Sequence, residues 1–137
     1  YMVQQLRARG EMTDRDLMDN YVTFLAGIFP SIRFGTRNAH GRAKMIRFNY
    51  FWDASAISRD EATARYRINV PEVEEAIRQL ARRILTLQGD GDYGNVAAFV
   101  AENVNIGNQL QADLARLESA GIPVDISFTQ GKELLGL

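Results

Sequence analysis

The single histidine of this 137-residue chain, His40, stands at the centre of a strongly cationic stretch, Arg33-Phe-Gly-Thr-Arg-Asn-Ala-His-Gly-Arg-Ala-Lys-Met-Ile-Arg47. Five cations (Arg33, Arg37, Arg42, Lys44 and Arg47) fall within it, and no acid occurs between Asp19 and Asp53. A helix from about Arg37 to Asp53 places His40 and Lys44 one turn apart on one face, with Arg37 and Arg47 three residues to either side along it. An imidazole so placed donates a hydrogen bond to a polarised carbonyl or oxyanion while neighbouring cations hold a carboxylate. The same residues also suit a bland role. Charge runs usually form surfaces, the arginines then pair with acids elsewhere, and His40 satisfies a core hydrogen bond.

Other chemistries find too few residues. One histidine and no cysteine cannot make an HExxH helix or a typical zinc set, so no metal ligand is assigned. Asp90 and Asp92 fall short of a calcium loop, and Glu72, Glu74 and Glu75 read as a helix start matching the macrodipole. Five serines share one possible base, with nothing local to orient it. The Gly35 to Gly41 segment lacks the glycines and the GK[ST] ending of a phosphate cradle. With 16 Lys+Arg against 17 Asp+Glu, the chain has no general basic excess, which argues against a nucleic-acid or membrane partner. The apolar runs are too short to span a bilayer, and a cytoplasmic location is expected.

The elements that position these residues follow from periodicity and punctuation. Tyr1 to Arg9 reads as a helix stopped by Gly10. Thr13 opens a capping pattern for a helix with Leu17, Tyr21, Phe24, Leu25 and Ile28 on one face, which Pro30 is expected to end one residue earlier. Gly35 marks a second break. The Arg37–Asp53 helix is apolar nearly all round its second half, so it is expected to be buried. Alternation over Tyr66, Ile68 and Val70 predicts a short strand, hairpin-paired with residues 56–58. A helix from Pro71 carries the stripe Val73, Ile77, Leu80, Ala81, Ile84 and Leu87. Gly89 to Asp92 reads as a turn, and helices follow over Gly94 to Asn103 and Asn108 to Ser119, closed by Gly121. Ile122 to Phe128 reads as extended. The expectation is one mainly α domain over residues 1–137, a multi-helix orthogonal bundle with a short β-strand or hairpin near residues 56–70. The bare, already helical start predicts a fragment of a longer polypeptide.

Residues Tyr21 to Gly35, followed by Asn38-Ala-His-Gly-Arg-Ala-Lys-Met-Ile-Arg-Phe-Asn-Tyr50, resemble the C-terminal part of the dipeptidyl peptidase III family of zinc metallopeptidases. The likeness is to the zinc-dependent hydrolase branch that includes domains fused to nudix hydrolases. Asp92-Tyr-Gly-Asn-Val96 and Gly121-Ile-Pro-Val-Asp-Ile126 extend it along the chain. The resemblance implies a helical lobe facing a second lobe across a cleft, with zinc held in the parent by an HExxGH-type motif and a Glu-containing helix upstream of this region. It implies that His40 lines the cleft and steadies the substrate carbonyl, and that Lys44, Arg42 and Arg37 help to hold a peptide. The peptidases usually carry arginine where this sequence has Lys44, a point charge instead of a bidentate fork. The expected partners are the zinc-bearing portion of the same polypeptide and a peptide substrate, and the chain by itself is expected to be inactive. The competing reading is a non-catalytic binding or regulatory module whose basic patch holds an acidic partner or nucleotide, with nucleic-acid binding by Arg33 to Arg47 a weaker third.

Overall fold

The computed structural model describes residues 2–125 together with Gly131 and Gly136. They fall into two compact units, Tyr1–Ile106 and Gly107–Leu137, each described by itself. The chain is mainly helical with one short hairpin, as expected.

The first unit begins with α1 (Met2–Ala8), closed at Gly10, whose φ of 75° suits a residue without Cβ. Thr13 then nucleates α2 (Asp14–Ala26) through a reciprocal capping box. The Asp16 amide donates to the Thr13 hydroxyl at 3.2 Å, and the Asp16 carboxylate accepts from the Thr13 amide at 2.8 Å and from its hydroxyl at 2.7 Å. Leu17, Tyr21 and Leu25 bury the inner face. The break expected just before Pro30 falls at Gly27, and α3 (Ile28–Arg33) takes Pro30 into its first turn. The missing proline N–H costs nothing there, because first-turn amides have no intrahelical acceptor. Ile28 and Ile32 continue the buried line.

The central element is α4 (Ala39–Asp53), which starts two residues later than expected because Asn38 is its N-cap. It packs against α3, α5 (Val70–Asp90), α6 (Tyr93–Asn103) and β1 (Ile57–Asp60). Met45, Phe48 and Phe51 are buried, and the Phe48 ring lies 5.9–6.0 Å from Phe29, Trp52 and Tyr66. Aromatic pairs at such spacing contribute beyond their buried area. β1 pairs antiparallel with β2 (Arg65–Ile68), Ile57 opposite Ile68 and Asp60 opposite Arg65. Asp60 ties the connecting turn by accepting from the Thr63 amide and hydroxyl, both at 2.9 Å.

Along α5, Val73, Ala76, Leu80 and Leu87 are buried, whereas Ala81 and Ile84 of the expected stripe stay exposed. The helix runs through Gly89 to Asp90, so the expected turn begins later, at Gly91 with φ of 63°. One left-handed glycine suffices to end a helix. Asp92 caps α6 by accepting from the Asn95 amide at 3.0 Å. Asn49 fastens the end of α6 to α4, donating to the carbonyls of Asn103 at 2.9 Å and Asn105 at 2.8 Å. In the second unit α7 (Asn108–Ser119) ends at Gly121, φ 71°. Residues 126–128 of the expected extended tail lie outside the described residues.

Two hydrogen-bonded carboxylates give the fold a pH dependence of known sign. The Thr13 hydroxyl holds the Asp16 carboxyl below the ordinary aspartate range, aided by the Thr13 amide, and the Thr63 amide and hydroxyl do the same for Asp60. A folded-state pKa depressed in this way gives stability that is present above the unfolded value of about 3.9 and lost as pH falls through the folded value. Thermal midpoints followed by circular dichroism from about pH 5 to about pH 2 are expected to drop below the ordinary aspartate value. An Asp16→Asn, Asp60→Asn double variant should lose less over that range. An equal acid loss in the double variant would show that these two carboxylates are not its source.

Candidate functional site

The site residues are held by an unusually close turn. After α3, Gly35 turns the chain at φ of 84°, a conformation that favours glycine. Asn38 then works in both directions. Its side-chain oxygen accepts from the Gly41 amide at 2.7 Å, while its side-chain nitrogen donates to the Gly35 carbonyl at 3.0 Å. Gly41 is buried, and a Cβ built there would collide with the Gly35 carbonyl oxygen. The first turn of α4 therefore lies backbone against backbone on the turn before it, and His40 is presented between the cap and the contact.

Asn38 and Gly41 were not read as positioning residues from the sequence. The signal was present, since asparagine is a favoured cap type and here precedes a helical run. Starting the helix at Arg37 hid it. The consequence is that Arg37 lies in the turn outside α4, and its position relative to His40 is not set by helical spacing.

On α4 itself, residues 40, 44, 47 and 51 form one stripe at spacings of four, three and four. His40 is exposed at its start, Lys44 is half-buried, Arg47 is exposed and Phe51 is buried. Lys44 Nζ sits over the Phe24 ring of α2, 5.6 Å from its centroid, within the range of a cation–π contact. The side chains of His40, Lys44 and Arg47 enter no ion pair among the described residues. Arg42 lies two residues from His40, hence on another side of the helix, and its guanidinium donates to the Arg37 carbonyl at 3.3 Å. The structure thus brings Lys44 and Arg47 into line with His40 and draws Arg42 towards Arg37.

The stripe ends in an apolar hollow of ≈ 400 Å³ between α1, α2, α4 and α5. Phe24, Phe51, Leu80, Ala81 and Ile84 contribute to its wall, and Arg47 and Asn20 are among its few polar members. Beside it, Glu74 Oε1 is buried without a hydrogen bond in good geometry, although Arg7 Nη1 lies 3.5 Å away. At that distance the pair is a charge contact that steadies α1 against α5 more than a directed bond. Among the described residues no group of three or more His, Cys, Asp or Glu is placed to hold a metal ion, and no helix is long and apolar enough to cross a membrane.

Comparison with known proteins places this arrangement. The fold is that of part of dipeptidyl peptidase III. It superposes on the enzyme from Caldithrix abyssi with a TM-score of 0.83 at 33% identity, over 92% of this chain and 24% of that one. Dipeptidyl-peptidase III from Corallococcus sp. strain EGB gives 0.82 at 28% identity, over 92% and 23%. In sequence, the chain is 35% identical over 124 residues to Nudix hydrolase 3 of Arabidopsis thaliana, covering 90% of this chain and 16% of that protein. No family model matches the chain. The chain therefore spans less than a quarter of each of these three proteins, and it is similar in fold and sequence to a helical part of dipeptidyl peptidase III.

The close turn makes a direct test of what holds His40. Gly41→Ala is expected to destabilise the chain by about 1–3 kcal/mol in urea unfolding, because the neighbour it strikes is backbone. Asn38→Asp keeps the acceptor for the Gly41 amide but loses the donor to Gly35, and should cost less than Asn38→Ala, which loses both. Gly41→Ala at wild-type stability would mean that the two turns do not touch.

Proposed function

We propose that this chain is the helical portion of a zinc-dependent, dipeptidyl peptidase III-like hydrolase and forms one wall of its substrate cleft. The observation that carries the reading is the stripe of His40, Lys44 and Arg47, presented on α4 without acidic partners among the described residues, in a segment similar to two dipeptidyl peptidase III structures. His40 is the hydrogen-bond donor to the scissile carbonyl as negative charge develops on its oxygen. Its place in the first turn of α4 adds the positive end of the helix dipole. Lys44 supplies the cation that orients the peptide. Arg37 and Arg42, joined by a hydrogen bond at the turn, form a second cationic pair that guards the approach.

Zinc does not fit the residues described here, which contain no cluster of metal-holding side chains. In this reading its ligands come from another portion of the same polypeptide, and no step is assigned to it. What this segment contributes is orientation of the carbonyl and of the peptide.

The test uses the longer polypeptide that carries this segment. His40→Ala is expected to lower kcat for peptide hydrolysis by about 10²-fold with KM little changed, the usual cost of losing one oxyanion donor. His40→Gln, which retains an N–H donor, should recover part of that loss, and Lys44→Ala should act mainly on KM. Unaltered kcat in His40→Ala would remove His40 from the mechanism. Binding of acidic partners without any hydrolysis would favour the regulatory module instead.

A further inference from the structure

The apolar hollow and the cationic stripe are continuous. Arg47 belongs to both, Phe51 ends the stripe inside the hollow, and Phe24 carries the Lys44 ammonium on its face while also lining the wall. The hollow has the size and the lining of a ligand site, mostly apolar with a few polar groups at its edge. Its outer wall is accessible, since Ile84 is 40% exposed. Distances along α4 set what can reach it. At a rise of about 1.5 Å per residue, Lys44 lies about 6 Å and Arg47 about 10 Å beyond His40. An extended peptide advances roughly 3.3 Å per residue, so its chain passes from His40 to the Lys44–Arg47 pair in two to three residues.

We propose that the hollow is a side-chain subsite for a short peptide that ends, two or three residues beyond the carbonyl held by His40, in a large apolar residue with a free carboxylate. The carboxylate lies between Lys44 and Arg47, and the apolar side chain enters between Phe24, Phe51 and Ile84. The choice of occupant follows from charge and shape together. Two cations without acidic partners among the described residues sit about 4.5 Å apart along the helix axis, well inside the screening length at physiological salt. They flank an apolar space, so one ligand carrying both an anion and an apolar group answers both features. This subsite rests on the reading of His40 given above, but it makes separate demands.

The test titrates the isotopically labelled chain with acetyl-Ala-Ala-Phe as the free acid, with its C-terminal amide and with acetyl-Ala-Ala-Ser as the free acid, following backbone amide shifts. The apolar acid is expected to bind about tenfold more tightly than the serine acid, in keeping with burial of one large side chain. It should also bind more tightly than the amide, because only the carboxylate pairs with the two cations. Shifts should appear at Ala81 and Ile84 as well as at 39–44. Ala81→Trp, which fills the hollow, should abolish the preference for phenylalanine over serine and keep that for acid over amide; Arg47→Gln should do the reverse. Should Ala81→Trp fail to fold, Ile84→Gln at the exposed rim tests the same wall. Equal binding of the two acids by the wild-type chain overturns the subsite, whatever happens at His40. Shifts confined to Ala81 and Ile84, with the phenylalanine preference intact, support the subsite and overturn the assignment of His40 instead.

Discussion

The arrangement depends on one steric constraint, the contact of the Gly41 α-carbon with the Gly35 carbonyl. Because no side chain intervenes, α4 begins immediately beside the turn that closes α3, and the close contact limits the direction the helix can take. Everything that packs against α4 inherits that direction. Met45, Phe48 and Phe51 are carried into the core, the hairpin meets the Phe48 and Trp52 rings through Tyr66, and Asn49 reaches the carbonyls that end α6. Asn38 reinforces the contact by bonding to both sides of it. A side chain at position 41 would require the two backbones to separate, and a well-packed interior absorbs such a shift poorly.

This explains how much of the architecture could be read from residue order. Elements whose ends carry a local chemical signature came out close to their observed limits: the Thr13–Asp16 box before α2, the strand alternation over residues 65–68, and α7 with Gly121 behind it. Errors arose where two candidate breakers stood close together. Pro30 is the stronger helix breaker in the abstract, yet Gly27 ends α2 because proline is harmless in the first turn of the next helix. Of Gly89 and Gly91, only the second adopts the left-handed conformation, because a helix needs one such residue to stop. Asn38 was obscured by the cations around it. None of these choices follows from the type of one residue alone.

The cationic stretch illustrates the same limit at the level of the site. Read as a string, Arg33, Arg37, Arg42, Lys44 and Arg47 form one cluster. In three dimensions they divide, because a helix separates residues two apart and aligns those three or four apart. Lys44 and Arg47 share a stripe with His40, whereas Arg42 turns back to the Arg37 carbonyl. The continuation of the stripe into an apolar hollow was not evident in the sequence, because the hollow draws on α1, α2 and α5, elements whose sequence separation from α4 hides their proximity.

Lys44 is where chemistry and fold meet most closely. An arginine there would offer a planar fork to a carboxylate and dictate its orientation; a lysine offers a compact charge that accepts several orientations. The structure compensates in part by restricting the lysine. With its stem half-buried and its ammonium over the Phe24 ring, the charge is held towards one side of α4. In the proposed subsite, what the single ammonium cannot impose falls to a second cation three residues on and to a wall for an apolar group, since a ligand fixed at two points has little rotational freedom left. Orientation in that proposed subsite arises from the spacing of Lys44, Arg47 and the hollow along one helix. That spacing is the helical repeat of α4, whose first turn rests on the Gly35 carbonyl.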